Sequence, residues 1–233
     1  MALRPVTVQG QAGGTPAGPL SLAAAVARRG IFFCHDATVP TTHLLYLHGF
    51  RSSPRSTKAL QVAARVARDH PSVTWWCPQL PPSPRAAMDM VLQGVAGWPC
   101  ESMAVIGSSL GGFYATCVAK ATGCRAVVLN PAVHPARDLA RHIGEHEAWH
   151  DPGQRFYFAP GYVDELRRLE PGPLPDPSRV LAVIAKGDEV LDWREMVARY
   201  PGAQLRLLEG GDHALSDFDG LIEEVLDFVQ LSR

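Results

Sequence analysis

Short apolar runs alternate with amphipathic segments along the chain from residue 43 onward. Strands that are apolar along their whole length are buried on both faces, which is typical of a parallel sheet covered by helices. The pattern predicts strands at residues 44–47, 73–77, 103–106, 126–129, 180–185 and 204–208. It predicts helices at residues 54–69, 83–96, 109–121, 192–200 and 217–231, where apolar positions recur at helical spacing.

Helices follow most of the predicted strands. The sequence therefore predicts an α/β fold, doubly wound, with a mostly parallel sheet of about six strands. Right-handed crossovers in such a fold place functional residues at the carboxyl ends of the strands.

Two predicted helices begin with residues that are typical of helix caps. Ser53 is expected to cap the first helix with Pro54 at its first position, and Asp192 is expected to form a capping box with Glu195.

The first part of the chain differs in composition from the rest. Residues 9–19 are rich in glycine, alanine and proline, which bury too little apolar surface to offset the entropy of ordering. The sequence therefore predicts a flexible arm over residues 1–40, with one short helix at 21–29. A single domain is expected over residues 41–233.

A long segment at residues 131–178 interrupts the alternation of strands and helices. Segments of this length inside a compact domain are usually functional. It carries the aromatic residues Trp149, Phe156, Tyr157, Phe158 and Tyr162. These residues suggest a cap over a pocket, in which Tyr157 is a candidate for substrate contact. An ordinary packed surface insertion is the alternative.

The charge balance narrows the range of partners. The chain has 22 basic and 23 acidic residues, with a formal net charge of -1. This near balance provides no field to hold a polyanion, so we expect no nucleic-acid partner and no membrane-surface role. Hydrophobic residues make up 46% of the chain and charged residues 19%, as in ordinary globular proteins.

The cysteines favour a reducing compartment. They are scattered without a C-x-x-C pair, and an odd, unpatterned set of this kind indicates reduced thiols. Their positions are Cys34, Cys77, Cys100, Cys117 and Cys124. The apolar stretch at residues 20–27 is too short to span a bilayer and has no basic region before it, so no signal peptide is expected. We therefore expect a cytoplasmic protein.

The segment Gly107-Ser108-Ser109-Leu110-Gly111 matches the pattern G-x-S-x-G. It follows the third predicted strand and opens a helix, which is the context that a nucleophile elbow requires. Glycine is needed at both flanks because a side chain there would collide with the neighbouring strand or helix. Ser109 is the candidate nucleophile, raised above the sheet at a helix N-terminus. Ser108 is assigned no role.

A serine hydroxyl is a weak nucleophile and needs a base. His213 follows the last predicted strand and is the candidate base, while Asp188 follows the fifth and is the candidate carboxylate that orients it. The resulting chain order of serine, aspartate and histidine is that of α/β hydrolases. Other carboxylates stay open as weaker alternatives: Glu189, Asp192, Asp212 and Asp138.

The turn after the first predicted strand is expected to face the elbow. The backbone N–H groups of Phe50 and Leu110 would then bind the oxyanion of a tetrahedral intermediate. His48 is expected to buttress this loop, and both His48 and Arg51 are candidates for substrate binding. Ser52 and Ser53 line the entrance or act only as loop and cap residues.

Three histidines in the 131–178 segment fall at i, i+4 and i+8, namely His142, His146 and His150. A helix with this spacing could hold a divalent metal ion. However, Gly144 interrupts the helix, and no further ligand distant in sequence is identifiable. The sequence therefore favours a polar, solvated face, and we expect no metal.

Six segments together carry a family resemblance. They are YLHGFRSSPRSTKA from Tyr46, PQLPP from Pro78, IGSSLGGFYAT from Ile106, NPAV from Asn130, GDEVLD from Gly187 and GGDHALSDF from Gly210. With these segments the chain resembles the YqiA-like esterases of bacteria from about residue 43 to its end. The resemblance implies the α/β-hydrolase fold and carboxylesterase activity, extending to acyl thioesters, with no metal or organic cofactor. It also points to Ser109, Asp188 and His213. The first 40 or so residues and the histidine-containing insertion depart from the family pattern.

These observations predict a serine hydrolase that cleaves a small acyl ester or thioester through an acyl-enzyme on Ser109. The alternative from a different class is a small-molecule binding module on the same fold, because fold alone does not imply catalysis. The presence of both the serine and the histidine favours the hydrolase.

Overall fold

The fold is known from a computed structural model that describes residues 39–148 and 151–231. The predicted arm of residues 1–40 lies outside the described residues except for its last two positions. The predicted helix at 21–29, Trp149 and His150 also lie outside them. None of the described helices is long and apolar enough to cross a membrane.

A parallel sheet of six strands forms the centre of the fold, in the order β2-β1-β3-β4-β7-β8. A doubly wound parallel sheet was predicted from the sequence and is confirmed. The strands are β1 His43–Leu47, β2 Thr74–Trp76, β3 Met103–Ser108, β4 Arg125–Leu129, β7 Val180–Ala185 and β8 Gln204–Leu208.

Seven α-helices occur in the described part of the chain, and the sheet is covered on both faces. They are α1 Thr57–Asp69, α2 Pro84–Gly94, α3 Leu110–Thr122, α4 Pro135–Leu139, α5 Pro160–Leu169, α6 Trp193–Arg199 and α7 Ile222–Phe228. Alternate residues of β1 belong to different cores. Leu44 and Tyr46 pack with α1 and α7, whereas Leu45 and Leu47 pack with α2 and α3. Burial on both faces explains why the strands are apolar throughout.

The observed starts of two helices differ from the capping that the sequence predicted. The first helix begins at Thr57 instead of Pro54, because the Ser53 hydroxyl accepts a hydrogen bond from the N–H of Arg55 and closes a turn. Asp192 does cap α6, by accepting from the N–H of Arg194. The predicted capping box is wrong, because the Glu195 carboxylate is engaged by the guanidinium of Arg137 instead.

The last helix is shorter than predicted. Residues Phe218–Leu221 form a 3₁₀ turn, and α7 covers only Ile222–Phe228 of the expected 217–231. The chain turns out of the helix at Gln230, where φ is 60°, and the N–H of Leu231 returns to the carbonyl of Leu226. This pattern satisfies carbonyl groups that a helix end would otherwise leave open.

The segment between β4 and β7 contains regular structure that the sequence did not predict. After α4, strands β5 (Gly144–Ala148) and β6 (Asp151–Phe158) form an antiparallel hairpin, and α5 follows. Phe158 at the end of β6 is almost completely buried in the main core with Val163 and Leu166 of α5. The segment is therefore anchored in the core by its second half.

Candidate active site

Ser109 lies at the tight turn between β3 and α3. Its backbone has φ 56° and ψ -121°, a conformation that is costly for any residue except glycine. Hydrogen bonds hold the turn in place: the N–H of Ser109 donates to Leu129, and its carbonyl accepts from Gly112 and Ala132. Residues kept in such strained conformations cluster at functional sites.

The two glycines of the motif allow this turn to form. A Cβ atom on Gly107 would lie 2.1 Å from the carbonyl oxygen of Gly111 in α3. A Cβ atom on Gly111 would lie 2.0 Å from the carbonyl oxygen of Leu47 in β1. The collisions expected from the sequence are thus present, one with the helix and one with the neighbouring strand.

Three side chains from separate loops form a continuous hydrogen-bonded chain. The Nε2 atom of His213 lies 3.0 Å from the hydroxyl oxygen of Ser109, and its Nδ1 atom lies 2.7 Å from Oδ2 of Asp188. A carboxylate accepts hydrogen bonds only, so Nδ1 carries the proton and Nε2 is free to accept from the hydroxyl. In this tautomer His213 is arranged to take a proton from Ser109.

The loop after β7 fixes the Asp188 carboxylate. Its side chain is completely buried, and Oδ1 accepts hydrogen bonds from the N–H groups of Val190 and Leu191, each at 2.8 Å. These bonds orient the second oxygen, Oδ2, toward His213.

The alternative carboxylates have other partners. Glu189 accepts from the backbone N–H of His213 at 3.0 Å, so it contacts the loop and not the ring. Asp212 accepts from Ser216, Asp138 pairs with Arg137, and Asp192 caps α6. The geometry therefore favours Asp188 over all four.

Asn130, at the end of β4, holds the loop that carries His213. Its side-chain N–H₂ group donates to the carbonyl of Asp212 at 2.9 Å and to that of His213 at 3.2 Å. Its side-chain oxygen accepts from the N–H of Ala185 at 2.8 Å. The residue is fully buried and has φ 41°, a left-handed conformation that asparagine tolerates. Sequence reasoning assigned it no role, although it begins the NPAV segment.

Lys58 on α1 supports the same loop from the other side. Its ammonium group donates to the carbonyl of Ala214, the residue after His213. Burial lowers the pKa of Lys58, and the nearby Asp212 partly offsets this effect. The loop that carries His213 is thus held by the amide of Asn130, by Lys58 and by the Glu189 carboxylate.

The loop after β1 lies directly beside Ser109. A Cβ atom on Gly49 would lie 3.2 Å from Cβ of Ser109. Phe50 and Leu110 both line a cavity at this point. Within residues 39–148 and 151–231, no backbone carbonyl accepts a hydrogen bond from the N–H of either residue. Neither N–H group is therefore engaged by a backbone carbonyl, and their role as oxyanion donors stays a prediction.

The cavity beside Ser109 has a volume of about 200 Å³. His48 and Arg51, both expected from the sequence, line it. Tyr157 does not: it is 55% exposed on the hairpin, and its neighbour Phe156 lines the cavity instead. Side chains alternate between the two faces of a strand, so only one of these adjacent aromatic residues can face inward.

His48 serves the loop as a buried support. Its Nε2 atom accepts from the N–H of Leu80 at 3.1 Å, and its Nδ1 atom lies 3.0 Å from the carbonyl of Gly49. The neutral ring therefore links the loop after β1 to the loop after β2. This contact agrees with the buttressing role expected from the sequence.

The β5–β6 hairpin packs against Phe50, which is in the loop after β1. The Phe50 ring lies with its centroid 5.3 to 5.8 Å from the rings of His142, His146, Phe156 and Phe158. Arg51 adds a hydrogen bond from Nε to the carbonyl of Glu147 at 3.0 Å. The hairpin thus contacts the loop that carries the Phe50 N–H group.

The histidine cluster is part of this packing. The ring of His146 donates to the carbonyl of His142 at 2.6 Å, and burial together with nearby Arg141 lowers the pKa of His142. The two residues are in a 3₁₀ turn and a strand, not in the helix that the spacing suggested. Among the described residues no group of three metal-ligating side chains occurs, and His150 lies outside them.

Several solved structures of other proteins are similar to this chain. The chain is similar to the alpha/beta hydrolase domain-containing protein 10 from mouse, with a TM-score of 0.59 and 15% identity over 85% of this chain and 99% of that one. It is also similar to Est1E from Butyrivibrio proteoclasticus, with a TM-score of 0.59 and 16% identity. The match covers 84% of this chain and 90% of that one. For the esterase domain of a Rhodothermus marinus protein the TM-score is 0.54 and the identity is 18%. That match covers 83% of this chain and 88% of the other.

The sheet order, the strained serine turn and these similarities define a protein of α/β-hydrolase fold. The model of the uncharacterised protein family UPF0227 matches residues 43–230. The chain therefore belongs to this family, which is the YqiA family that the sequence motifs resembled.

Proposed function

We propose that this chain is a serine hydrolase that cleaves carboxylic esters, and acyl thioesters by the same chemistry. The observation that carries the proposal is the continuous chain of hydrogen bonds from Ser109 through His213 to Asp188. Such a chain converts a weak hydroxyl nucleophile into an effective one, because the base is already in contact with the proton that it must take.

The first half of the proposed reaction transfers the acyl group to the enzyme. The hydroxyl oxygen of Ser109 attacks the carbonyl carbon of the substrate while His213 takes the hydroxyl proton. The N–H groups of Phe50 and Leu110 donate to the resulting oxyanion. Each such donor typically contributes on the order of 10²- to 10³-fold in rate. The tetrahedral intermediate then collapses, and the imidazolium gives its proton to the departing alcohol or thiol.

The second half releases the acid. A water molecule loses a proton to His213 and attacks the acyl-enzyme carbonyl, and Ser109 leaves with the proton returned by the imidazolium. Asp188 stabilises the imidazolium in both halves and keeps the ring in the required tautomer. The nucleophile, the base and the oxyanion donors all come from the chain, so the proposed reaction requires no metal or organic cofactor.

Several observations support an ester or thioester as the substrate. The cavity beside Ser109 is the size of a small acyl group, and one of the similar structures is described as an esterase domain. Among the described cysteines, Cys77, Cys117 and Cys124 form no disulfide. They support our proposal that the enzyme works in a reducing compartment, the cytoplasm.

Labelling with a fluorophosphonate probe tests this proposal. The probe phosphonylates a serine that is activated by a base, so we expect stoichiometric labelling of the wild-type protein and none of Ser109→Ala. Ser108→Ala is the matched control, because it removes the adjacent hydroxyl of the same motif and should label like the wild type. Folded wild-type protein that is not labelled would contradict the proposal and favour a binding module.

Ester hydrolysis gives a second readout with the same variants. By analogy with other serine hydrolases, Ser109→Ala should lower kcat by about 10⁶-fold. Ser108→Ala should retain kcat within a few fold.

A further inference from the structure

Tyr114 on α3 brings a polar group to the wall of the cavity beside Ser109. The residue is only 3% exposed, and it lines the cavity. Within the described residues its hydroxyl has no hydrogen-bond partner. By contrast, the buried hydroxyl of Tyr200 bonds to the hydroxyl of Thr116 at 2.9 Å. Buried tyrosine hydroxyls usually have such a partner. The oxygen of Tyr114 is not fully enclosed, unlike that of Tyr46, which is buried without a partner. Because Tyr114 lines the cavity, its open hydrogen-bonding position points to a ligand group.

The position of the cavity indicates which part of a substrate it receives. The leaving group must depart beside His213, because the imidazolium protonates it. The cavity is lined by Phe50 and Leu110, the expected oxyanion donors, and by no residue of the loop that carries His213. A substrate carbonyl held at Ser109 would therefore extend its acyl group, not its leaving group, into the cavity.

The size and lining of the cavity limit the acyl group. Its volume is about 200 Å³, and an apolar cavity of about 150 Å³ is enough to bind benzene. The side chains of Leu80 and Phe156 contribute to an apolar wall. The cavity thus suits one aromatic ring on a short linker, or an alkyl chain of similar size.

The hydroxyl of Tyr114 stays neutral in this setting. Burial raises its pKa well above the usual range, and the nearby thiol of Cys117 and carboxylate of Glu165 act in the same direction. A neutral phenol can both donate and accept a hydrogen bond. It can therefore pair with a hydroxyl or a carbonyl group, but it does not supply a charge for a carboxylate or an ammonium group.

We infer that Tyr114 is a specificity-determining residue, which selects acyl groups that carry a hydroxyl or carbonyl group at the end away from the scissile bond. This inference rests on the proposed hydrolase function. An apolar acyl group that fills the cavity would leave the buried phenol without a partner. Sites built to hydrogen-bond a substrate group discriminate strongly against analogues that lack it, for this reason.

Matched p-nitrophenyl esters measure this selectivity. One series carries 4-hydroxyphenylacetyl and 3-(4-hydroxyphenyl)propanoyl groups, and the other carries the 4-methyl analogues of the same size. For the linker that fits the cavity, the wild-type protein should prefer the hydroxyl ester by about five- to tenfold in kcat/KM, the contribution of one neutral hydrogen bond. In Tyr114→Phe this ratio should fall to about one.

Tyr162→Phe is the control variant. It removes a phenol from α5 that packs on Phe158 and is absent from the cavity lining. It should keep the wild-type ratio. A wild-type protein that cleaves both series equally well, or a Tyr114→Phe variant that keeps the preference, would overturn the inference.

A binding measurement separates this inference from the hydrolase proposal. Calorimetry with Ser109→Ala, in which no turnover occurs, gives the Kd of 3-(4-hydroxyphenyl)propanoate and of its 4-methyl analogue with Tyr114 present or replaced by Phe. The same five- to tenfold preference is expected, and only with Tyr114 present. If no ester is cleaved, the hydrolase proposal fails, and the ratio of the two Kd values still decides the role of Tyr114. Equal Kd values would overturn it.

Discussion

The side-chain amide of Asn130 donates to the backbone carbonyl of His213, 3.2 Å away, and to that of Asp212 beside it. The same side chain accepts from the N–H of Ala185 at the end of β7. One buried residue therefore connects the ends of β4 and β7 with the loop that carries the proposed base. Asp188 is in the loop that follows β7, so Asn130 helps to set the distance between Asp188 and His213.

Replacing Asn130 should impair turnover more than its effect on stability explains. Asn130→Ala removes three hydrogen bonds made by a buried side chain, and we expect the free energy of unfolding to fall by about 2 to 3 kcal/mol. Displacement of the His213 loop should also lower kcat by about 10²-fold, as misplaced catalytic groups commonly do. Thermal unfolding and ester hydrolysis measure the two effects.

Thr116→Val is the control for this variant. The Thr116 hydroxyl is buried and bonds to Gly112 and Tyr200, away from the His213 loop. Its loss should reduce stability and leave kcat within a few fold. Equal losses of kcat in the two variants would mean that Asn130 acts through stability alone.

Asp188→Asn should leave the fold intact and greatly reduce activity. An amide at this position can donate to Nδ1 of His213 and so favour the wrong tautomer of the ring. The expected loss in kcat is about 10⁴-fold, by comparison with the same change in other serine hydrolase triads. Asp192→Asn is the matched control, since asparagine also caps helices well. Near-normal turnover in Asp188→Asn would shift the role to Glu189.

Alanine at either flanking glycine of the serine turn should strongly destabilise the fold. In Gly107→Ala the new Cβ would meet a backbone carbonyl at 2.1 Å, and neither the helix nor the strand can move easily. We expect a loss of about 3 kcal/mol or more in the free energy of unfolding. Gly97→Ala, where a Cβ atom meets nothing within 4 Å, should unfold like the wild type. Denaturant unfolding of the soluble fraction measures the stability of both variants. Equal unfolding midpoints for Gly107→Ala and Gly97→Ala would contradict the steric explanation.

Activity should resist thiol reagents at pH 8. Burial raises the pKa of Cys77 and Cys117 to about 12 and that of Cys124 to about 11, so these thiols stay protonated and unreactive. After treatment with N-ethylmaleimide, mass spectrometry of peptides should find these three positions unmodified in the folded protein. Modification of Cys117 in the folded protein would contradict the prediction that burial keeps this thiol protonated and inaccessible.

The sheet was predictable from sequence because its strands are apolar on both faces. Strands β7 and β8 have the predicted bounds, 180–185 and 204–208. The Ser109 turn was also predictable, since the G-x-S-x-G pattern lies between a strand and a helix that are adjacent in sequence, and the collision that Gly107 avoids is with Gly111 of the same motif. The hairpin β5–β6 was not, because its charged residues and Gly144 give no continuous apolar run.

The sequence alone did not suggest the roles that we propose for Asn130 and Tyr114. The role of Asn130 depends on three loops that meet only in the folded protein. Tyr114 occurs in a helix that is buried almost throughout, where an aromatic residue is ordinarily part of the core. Its contact with the cavity depends on how the hairpin and the loop after β2 close around α3, which residue order does not specify.

Trapping the acyl-enzyme tests the central claim most directly. The wild-type protein is mixed with p-nitrophenyl acetate, quenched in acid within the first turnover, digested and analysed by mass spectrometry. One acetyl group on the peptide that contains Ser109, absent in Ser109→Ala, is the predicted result. An acetyl group on another residue, or hydrolysis that persists unchanged in Ser109→Ala, would contradict the account.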